Sequence, residues 1–158
     1  MATRIRPEDR STSTGQNADM ERSIAISADA VGSVGLYSSV VTTAPGARTR
    51  IHHHGECETS IWIASGRARY TFGPTGVEEA MEAEAGDFVY IAAGEVHVEE
   101  NASATEPLVV VITRNCPGSV DRLRTTNTWY EMLSHELWMP ANSMSTTAAP
   151  TANAASRS

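Results

Sequence analysis

The chain has no lysine: all 12 of its Lys-plus-Arg residues are arginine. That absence removes a lysine Schiff base, and it removes a P-loop, whose Gly-Lys-Ser/Thr end requires the ammonium. No G-x-G-x-x-G run is present, which argues against a nicotinamide enzyme. Long hydrophobic runs are missing too, and no stretch reaches the ~18 apolar residues of a membrane span. The opening MATRIRPEDRSTSTGQNADM lacks the apolar core of a secretory signal, so a cytoplasmic location is expected. Cysteine is scarce. Cys57 and Cys116 are too few for a disulfide scaffold and are expected to be free thiols, Cys57 filling a small space in the core. The formal net charge is −7, with no basic stripe, so neither nucleic acid nor an anionic membrane is an expected partner.

What is present fits one domain. The 158 residues are enough to bury a sizeable core. Residues 1–22 are polar and mixed in sign and read as a flexible arm. Residues 141–158 are rich in Ala, Ser and Thr, with too little apolar mass to offset their ordering entropy, and read as a disordered tail. Between them, over residues 23–140, short strand patterns alternate with turn chemistry. The expected strands are Val34 to Thr43, Ser60 to Phe72 with a break at Gly66, Val77 to Ala83, Phe88 to Ile91, Val96 to Glu99, and Leu108 to Thr113. The last is apolar throughout and is expected to be buried on both faces. Gly73-Pro74-Thr75-Gly76 and Glu84-Ala85-Gly86-Asp87 read as turns. Even strand spacing predicts an all-β sandwich or barrel. Asn127 to Trp138 differs: Trp129, Met132, Leu133 and Leu137 recur at helical spacing and predict one short C-terminal helix.

Histidine is concentrated in one place. Of five, three are consecutive, His52, His53 and His54, followed by Glu56 and Glu58. On a strand, residues two apart share a face, so His52 and His54 point together and His53 away. Two imidazoles on one face are a start for a divalent metal site, which then needs ligands from elsewhere. Candidates are Glu56, Glu58 and His97, whereas His135 falls in the helix and reads as a surface residue.

The surroundings of these histidines are more specific. Gly46, His52, His54, Glu58 and Gly66 follow G-x5-H-x-H-x3-E-x7-G, and Gly86, Gly94, His97 and Asn101 follow G-x7-G-x2-H-x3-N. The chain resembles the cupin superfamily, whose two motifs have this form, with Ala92 standing where the second motif has proline. The resemblance implies an all-β fold of cupin type, a double-stranded β-helix or jelly-roll barrel. It implies one divalent transition metal (Fe, Zn or Ni) held by His52, His54, Glu58 and His97, a small-molecule substrate on the metal's open positions, and a homodimer. One spacing departs from the family. The motif has six residues between its acid and the next glycine, and seven lie between Glu58 and Gly66. Counting back from Gly66 puts Thr59 in the acid's slot, with Ile61 and Ile63 also inward. A β-bulge near Ser60 would restore Glu58. Glu58 is the preferred fourth ligand, and a three-histidine site with Thr59 in its place is the alternative.

Other residues read less sharply. Trp62 is a packing residue, and Phe88 and Tyr90 pack or touch substrate. Arg48 and Arg50 either meet an anionic substrate or stay solvated. Glu99 shares parity with His97 and is an acid or base beside the site or an exposed strand end. Two functions are consistent with the resemblance. One is a metalloenzyme, with iron a dioxygenase, with zinc or nickel a polyketide cyclase or isomerase. The other is a non-catalytic ligand-binding or sensing cupin with a structural metal.

Overall fold

The computed structural model describes residues 2–14 and 18–116. The expected helix at Asn127 to Trp138 and the tail 141–158 lie outside those residues. A 3-10 turn at Pro7–Asp9 leads into β1 (Ser11–Thr14) and β2 (Met20–Ile26). A one-turn helix α1 (Ala28–Val31) precedes β3 (Tyr37–Thr43). Then follow β4 (Thr59–Ser65), β5 (Arg67–Phe72), β6 (Glu79–Glu84), β7 (Phe88–Ile91), β8 (His97–Asn101) and β9 (Leu108–Arg114). They form a six-stranded sheet, β1-β2-β3-β9-β4-β7, and a three-stranded sheet, β6-β5-β8. Every pairing is antiparallel. The chain between β3 and β4 runs beside β8, with single bridges Arg48↔Glu100 and His52↔His97. This is a jelly-roll of cupin type.

Period-two alternation builds the interior. β3 turns Tyr37, Ser39, Val41 and Thr43 inward; β4 turns Thr59, Ile61 and Ile63 inward; β9 turns Leu108, Val110, Ile112 and Arg114 inward. The register aligns these into rows: Ile63, Val110 and Val41; then Ile61, Ile112 and Ser39; then Thr59, Arg114 and Tyr37. Moving along the rows, the lining changes from aliphatic to polar. Fully burying each isoleucine stabilises the fold by ~1.5–3 kcal/mol. β9 is not buried on both faces as its sequence predicts. Its inner face is closed, but Val109, Val111 and Thr113 on the outer face are only half-buried. No second layer covers that side among the described residues.

Two further departures from the sequence reading have local causes. Ser11–Thr14, read as part of a flexible arm, pairs with β2 from Ser11↔Ile24 to Thr14↔Glu21 and caps what would otherwise be a bare sheet edge. Cys57 and Cys116, expected as free thiols, form a disulfide, with Cα atoms 5.8 Å apart across a sequence separation of 59. The register explains this. Thr59 pairs with Arg114, so the residues two positions outward on each antiparallel strand, Cys57 and Cys116, face each other.

Gly66 separates β4 from β5 with φ of 87°, and a Cβ there would stand 2.7 Å from the Pro107 carbonyl oxygen. Only glycine allows that approach. Asn101 ends β8 and is buried. Its amide donates to the carbonyls of Thr43 (3.0 Å), Ala44 (3.1 Å) and Glu106 (2.9 Å) and accepts from the Ser103 amide (2.9 Å). It ties the end of β3 to the turn before β9. Replacing Asn101 with alanine strands these buried groups and should cost about 2–3 kcal/mol. Urea unfolding of Asn101→Ala beside wild type measures this, with metal content expected to be unchanged.

Candidate metal centre

The histidines reach the interior through backbone pairing. His52 and His97 exchange both amide bonds, N–H to carbonyl at 3.1 and 2.9 Å. The strand-like geometry at His52 turns His52 and His54 inward and leaves His53 part-exposed. His97 opens β8, and Glu99, two residues on, shares its face. The His52–His97 ring centroids are 4.3 Å apart, His54–His97 4.7 Å and His52–His54 5.1 Å. One donor atom from each of His52, His54, His97 and Glu99 falls within 4.8 Å of the others, and all four residues are buried.

Hydrogen bonds fix how two of the imidazoles present themselves. His52 Nδ1 donates to the Arg50 carbonyl (2.9 Å) and His97 Nδ1 to the Glu95 carbonyl (2.8 Å). A carbonyl only accepts, so each ring carries its proton on Nδ1 and aims an Nε2 lone pair inward when neutral. His97 Nε2 and Glu99 Oε1 lie 3.5 Å apart, and both are buried without a hydrogen-bond partner. That distance is too long for a good hydrogen bond. A cation between these two atoms would give each of them a partner.

His54 is held differently. Arg114 Nη2 donates to its Nε2 (3.0 Å), so its Nδ1 carries the proton and donates to Thr59 Oγ1 (2.6 Å). A metal taking Nε2 of His54 must displace Arg114 from that lone pair. Burial pushes the His54 imidazole down to about 2, reinforced by the Arg114 charge. Burial and then His97 push His52 down to about 4. Burial opposes ionisation of Glu99, but contact with His97 and the fields of the other imidazoles outweigh it and hold the carboxyl well below its usual range. The Arg114 guanidinium is lowered by burial to about 10 and stays charged at neutral pH. Neutral imidazoles and an ionised carboxylate are the protonation states that metal ligation needs.

Glu58, the preferred fourth ligand from the sequence, is not brought to this group. It is exposed, and its carboxylate accepts from Tyr90 Oη (2.6 Å) and Asn115 Nδ2 (2.8 Å) on the outer face. The cause is register. β4 pairs without a break from Thr59 to Ile63, and its bulge comes between Ile63 and Ser65 rather than near Ser60. Thr59 therefore faces inward beside His54, and Glu58, one residue earlier, faces out. Glu56, Arg48 and Arg50 are exposed. Trp62 faces outward and packs on Phe88 with ring centroids 6.5 Å apart. The sequence reading placed Glu99 near the site without a ligand role and missed Arg114 altogether. The available signal was parity: Arg114 continues the inward series Leu108, Val110, Ile112 at the end of an apolar strand.

Residues 39–113 match the Cupin_2 family, described as a cupin domain. Solved structures similar to this chain include a Lactobacillus farciminis oxalate decarboxylase formate complex, with 19% identity and a TM-score of 0.67 over 82% of this chain and 39% of that one. An oxalate decarboxylase from Bacillus subtilis at pH 4.6 has 27% identity and a TM-score of 0.62 over 76% and 31%. A Bacillus subtilis oxalate decarboxylase described with Mn(II) centres has 25% identity and a TM-score of 0.63 over 75% and 33%. This chain thus spans about a third of the length of those proteins. No curated protein matches its sequence. With both motifs, the fold and the buried histidine group in place, residues 39–113 form a domain of the cupin superfamily. Its interior carries a group of three histidines and one glutamate fit for a divalent metal. No helix among the described residues is long and apolar enough to cross a membrane.

Two measurements check this arrangement. Metal content by mass spectrometry should fall severalfold in Glu99→Ala and in His97→Ala and stay at the wild-type level in Glu58→Ala. Chelator-stripped protein should lose stability as pH falls from 6.5 to about 4. In that window the unfolded His52, with an ordinary value of 6.5, binds a proton that the folded residue refuses until about 4. Chemical denaturation across pH reads this; a flat profile would contradict a neutral, buried imidazole pair.

Proposed function

We propose that the chain is a metal-dependent enzyme acting on a small, oxygen-rich organic substrate that approaches the metal through its own oxygen atoms. The observation that carries this is the buried set of His52, His54, His97 and Glu99, with Nε2 of His52 and His97 freed by carbonyl-bonded Nδ1 atoms. In this proposal these four are the ligands, with Glu99 in the role the sequence gave to Glu58. A bound divalent ion would supply Lewis-acid polarisation of a substrate oxygen or, for a redox metal, electron transfer. The protein's own part is orientation and exclusion of water. The Arg50 and Glu95 carbonyls hold two imidazoles in the ligating tautomer, Thr59 fixes the third, and the Ile61–Ile112 row closes the interior below them.

The reaction is proposed to be oxygenase-type or a redox-neutral tailoring step such as cyclisation or isomerisation. Iron, zinc and nickel are the candidate metals, and manganese joins them because a structural neighbour is described with Mn(II) centres. A homodimer acting in the cytoplasm completes the proposal. There the Cys57–Cys116 bond would face a reducing thiol pool.

Metal analysis of tag-free protein, purified without chelator, tests the reading. About one equivalent of a transition metal per chain is expected, from the four donors present. Iron or manganese would direct the search to oxygen-uptake screens with catechols, flavonols and diketones. Zinc or nickel would direct it to enolisable carbonyl substrates. Protein that holds no metal even after reconstitution would sink this reading and leave a ligand-binding module.

A further inference from the structure

Beside the histidine group the interior contains polar atoms that no described residue satisfies. Arg114 Nε, Arg22 Nε, Tyr37 Oη and Ser39 Oγ are all buried without hydrogen-bond partners. Their residues are 3%, 5%, 0% and 1% exposed, so bulk water does not compensate them. They line one interior, with Tyr37, Ser39 and Arg114 toward its polar end and Arg22 opposite Val41. Tyr37 and Arg114 are register partners on β3 and β9, Ser39 is the next inward residue of β3, and Arg22 on β2 faces the same interior. The Arg114 guanidinium carbon lies 5.6 Å from the Tyr37 ring centroid.

The buried formal charges do not balance. Among the described residues two buried arginines, Arg22 and Arg114, share this interior with one buried carboxylate, Glu99. A divalent ion held by this group would widen the excess, and His54 as its ligand would no longer offer Arg114 Nη2 the acceptor it now uses. A desolvated guanidinium left without an acceptor is as unfavourable as half of a broken buried ion pair. The group that relieves it is an anion small enough to sit beside the metal, with flat paired oxygens to match the guanidinium fork.

We infer that the substrate carries a carboxylate, bound by Arg114 with Arg22, Tyr37 and Ser39 around it, next to the three histidines and Glu99. This rests on the metal-dependent reading above and deepens it by naming the substrate class. Arg114 is the recognition group: it donates to the carboxylate and fixes the rest of the molecule relative to the metal. Tyr37 and Ser39 donate through their hydroxyls, and Arg22 supplies a second positive charge from β2. An exposed arginine pair near the loop, Arg48 and Arg50, takes no part in this assignment.

The experiment is calorimetric titration of metal-loaded and chelator-stripped protein with malonate and with its uncharged analogue malonamide. Wild type should bind malonate and discriminate against malonamide by about tenfold or more, the worth of a charge-assisted hydrogen bond. Arg114→Met should lose about tenfold or more of the malonate affinity while its metal content is held or raised, since His54 is released. If Arg114→Met fails to fold, Arg22→Met and Tyr37→Phe serve instead, and each should weaken malonate with little effect on malonamide. Equal binding of the two probes, or malonate affinity untouched by these substitutions, would overturn the inference and leave the polar interior holding water only. The two readings fail separately. Arg114-dependent malonate binding by protein that takes up no metal would preserve the anion site and refute the metalloenzyme. Metal uptake without any charge preference would do the reverse.

Discussion

The pairing of β4 with β9 is the constraint on which the rest depends. Because strand side chains alternate, its register decides which half of each strand enters the interior. Thr59 opposite Arg114 sends Thr59, Ile61 and Ile63 inward together with Leu108, Val110, Ile112 and Arg114. A slip of one residue would bring Glu58 and Ser60 in and turn the isoleucines out. Two isoleucines fully buried on β4 are worth ~3–6 kcal/mol, more than one ionised carboxylate gains by moving from solvent to a metal-free interior. The aliphatic rows therefore choose the register, and the site's chemistry follows from that choice.

The polar end of the interior is built from groups that are costly to bury alone. His52 and His54 are kept neutral by burial, and two imidazoles are oriented by carbonyls of their own chain, Arg50 for His52 and Glu95 for His97. The carbonyl lies two residues before the imidazole in both cases, so the tautomer is fixed locally on each side of the His52–His97 bridge. Glu99 reaches the group because it sits two residues after His97 on the same strand face. Its backbone is secured across the gap, with its amide on Thr49 Oγ1 and its carbonyl on the Thr49 amide, each at 2.9 Å.

Much of the fold was legible. The turns at Gly73 to Gly76 and Glu84 to Asp87, the break at Gly66 and the strands from Thr59 onward follow from alternation and turn residues. The N-terminal pair β1 and β2 was not, because Met20–Ile26 carries a glutamate and a buried arginine that spoil the apolar alternation. The three histidines were legible from spacing. The acid was not, because Glu58 and Glu99 each satisfy a plausible pattern, and only the position of the bulge in β4, after Ile63, separates them. Arg114 was hidden by its context: a charged residue closing an apolar strand reads as its solvated end. The disulfide was hidden because 59 residues of sequence carry no sign that the strands flanking Cys57 and Cys116 are neighbours.

That cystine has a geometric consequence. Cys57 lies three residues after His54, and Cys116 two residues after Arg114, so one covalent link joins the segment bearing an imidazole to the segment bearing the guanidinium. The spacing of the two backbone segments is therefore held by a covalent link as well as by strand pairing. While that bond is formed, a ligand held between the two segments would meet a frame that cannot spread, so its reach would matter along with the charge proposed for it.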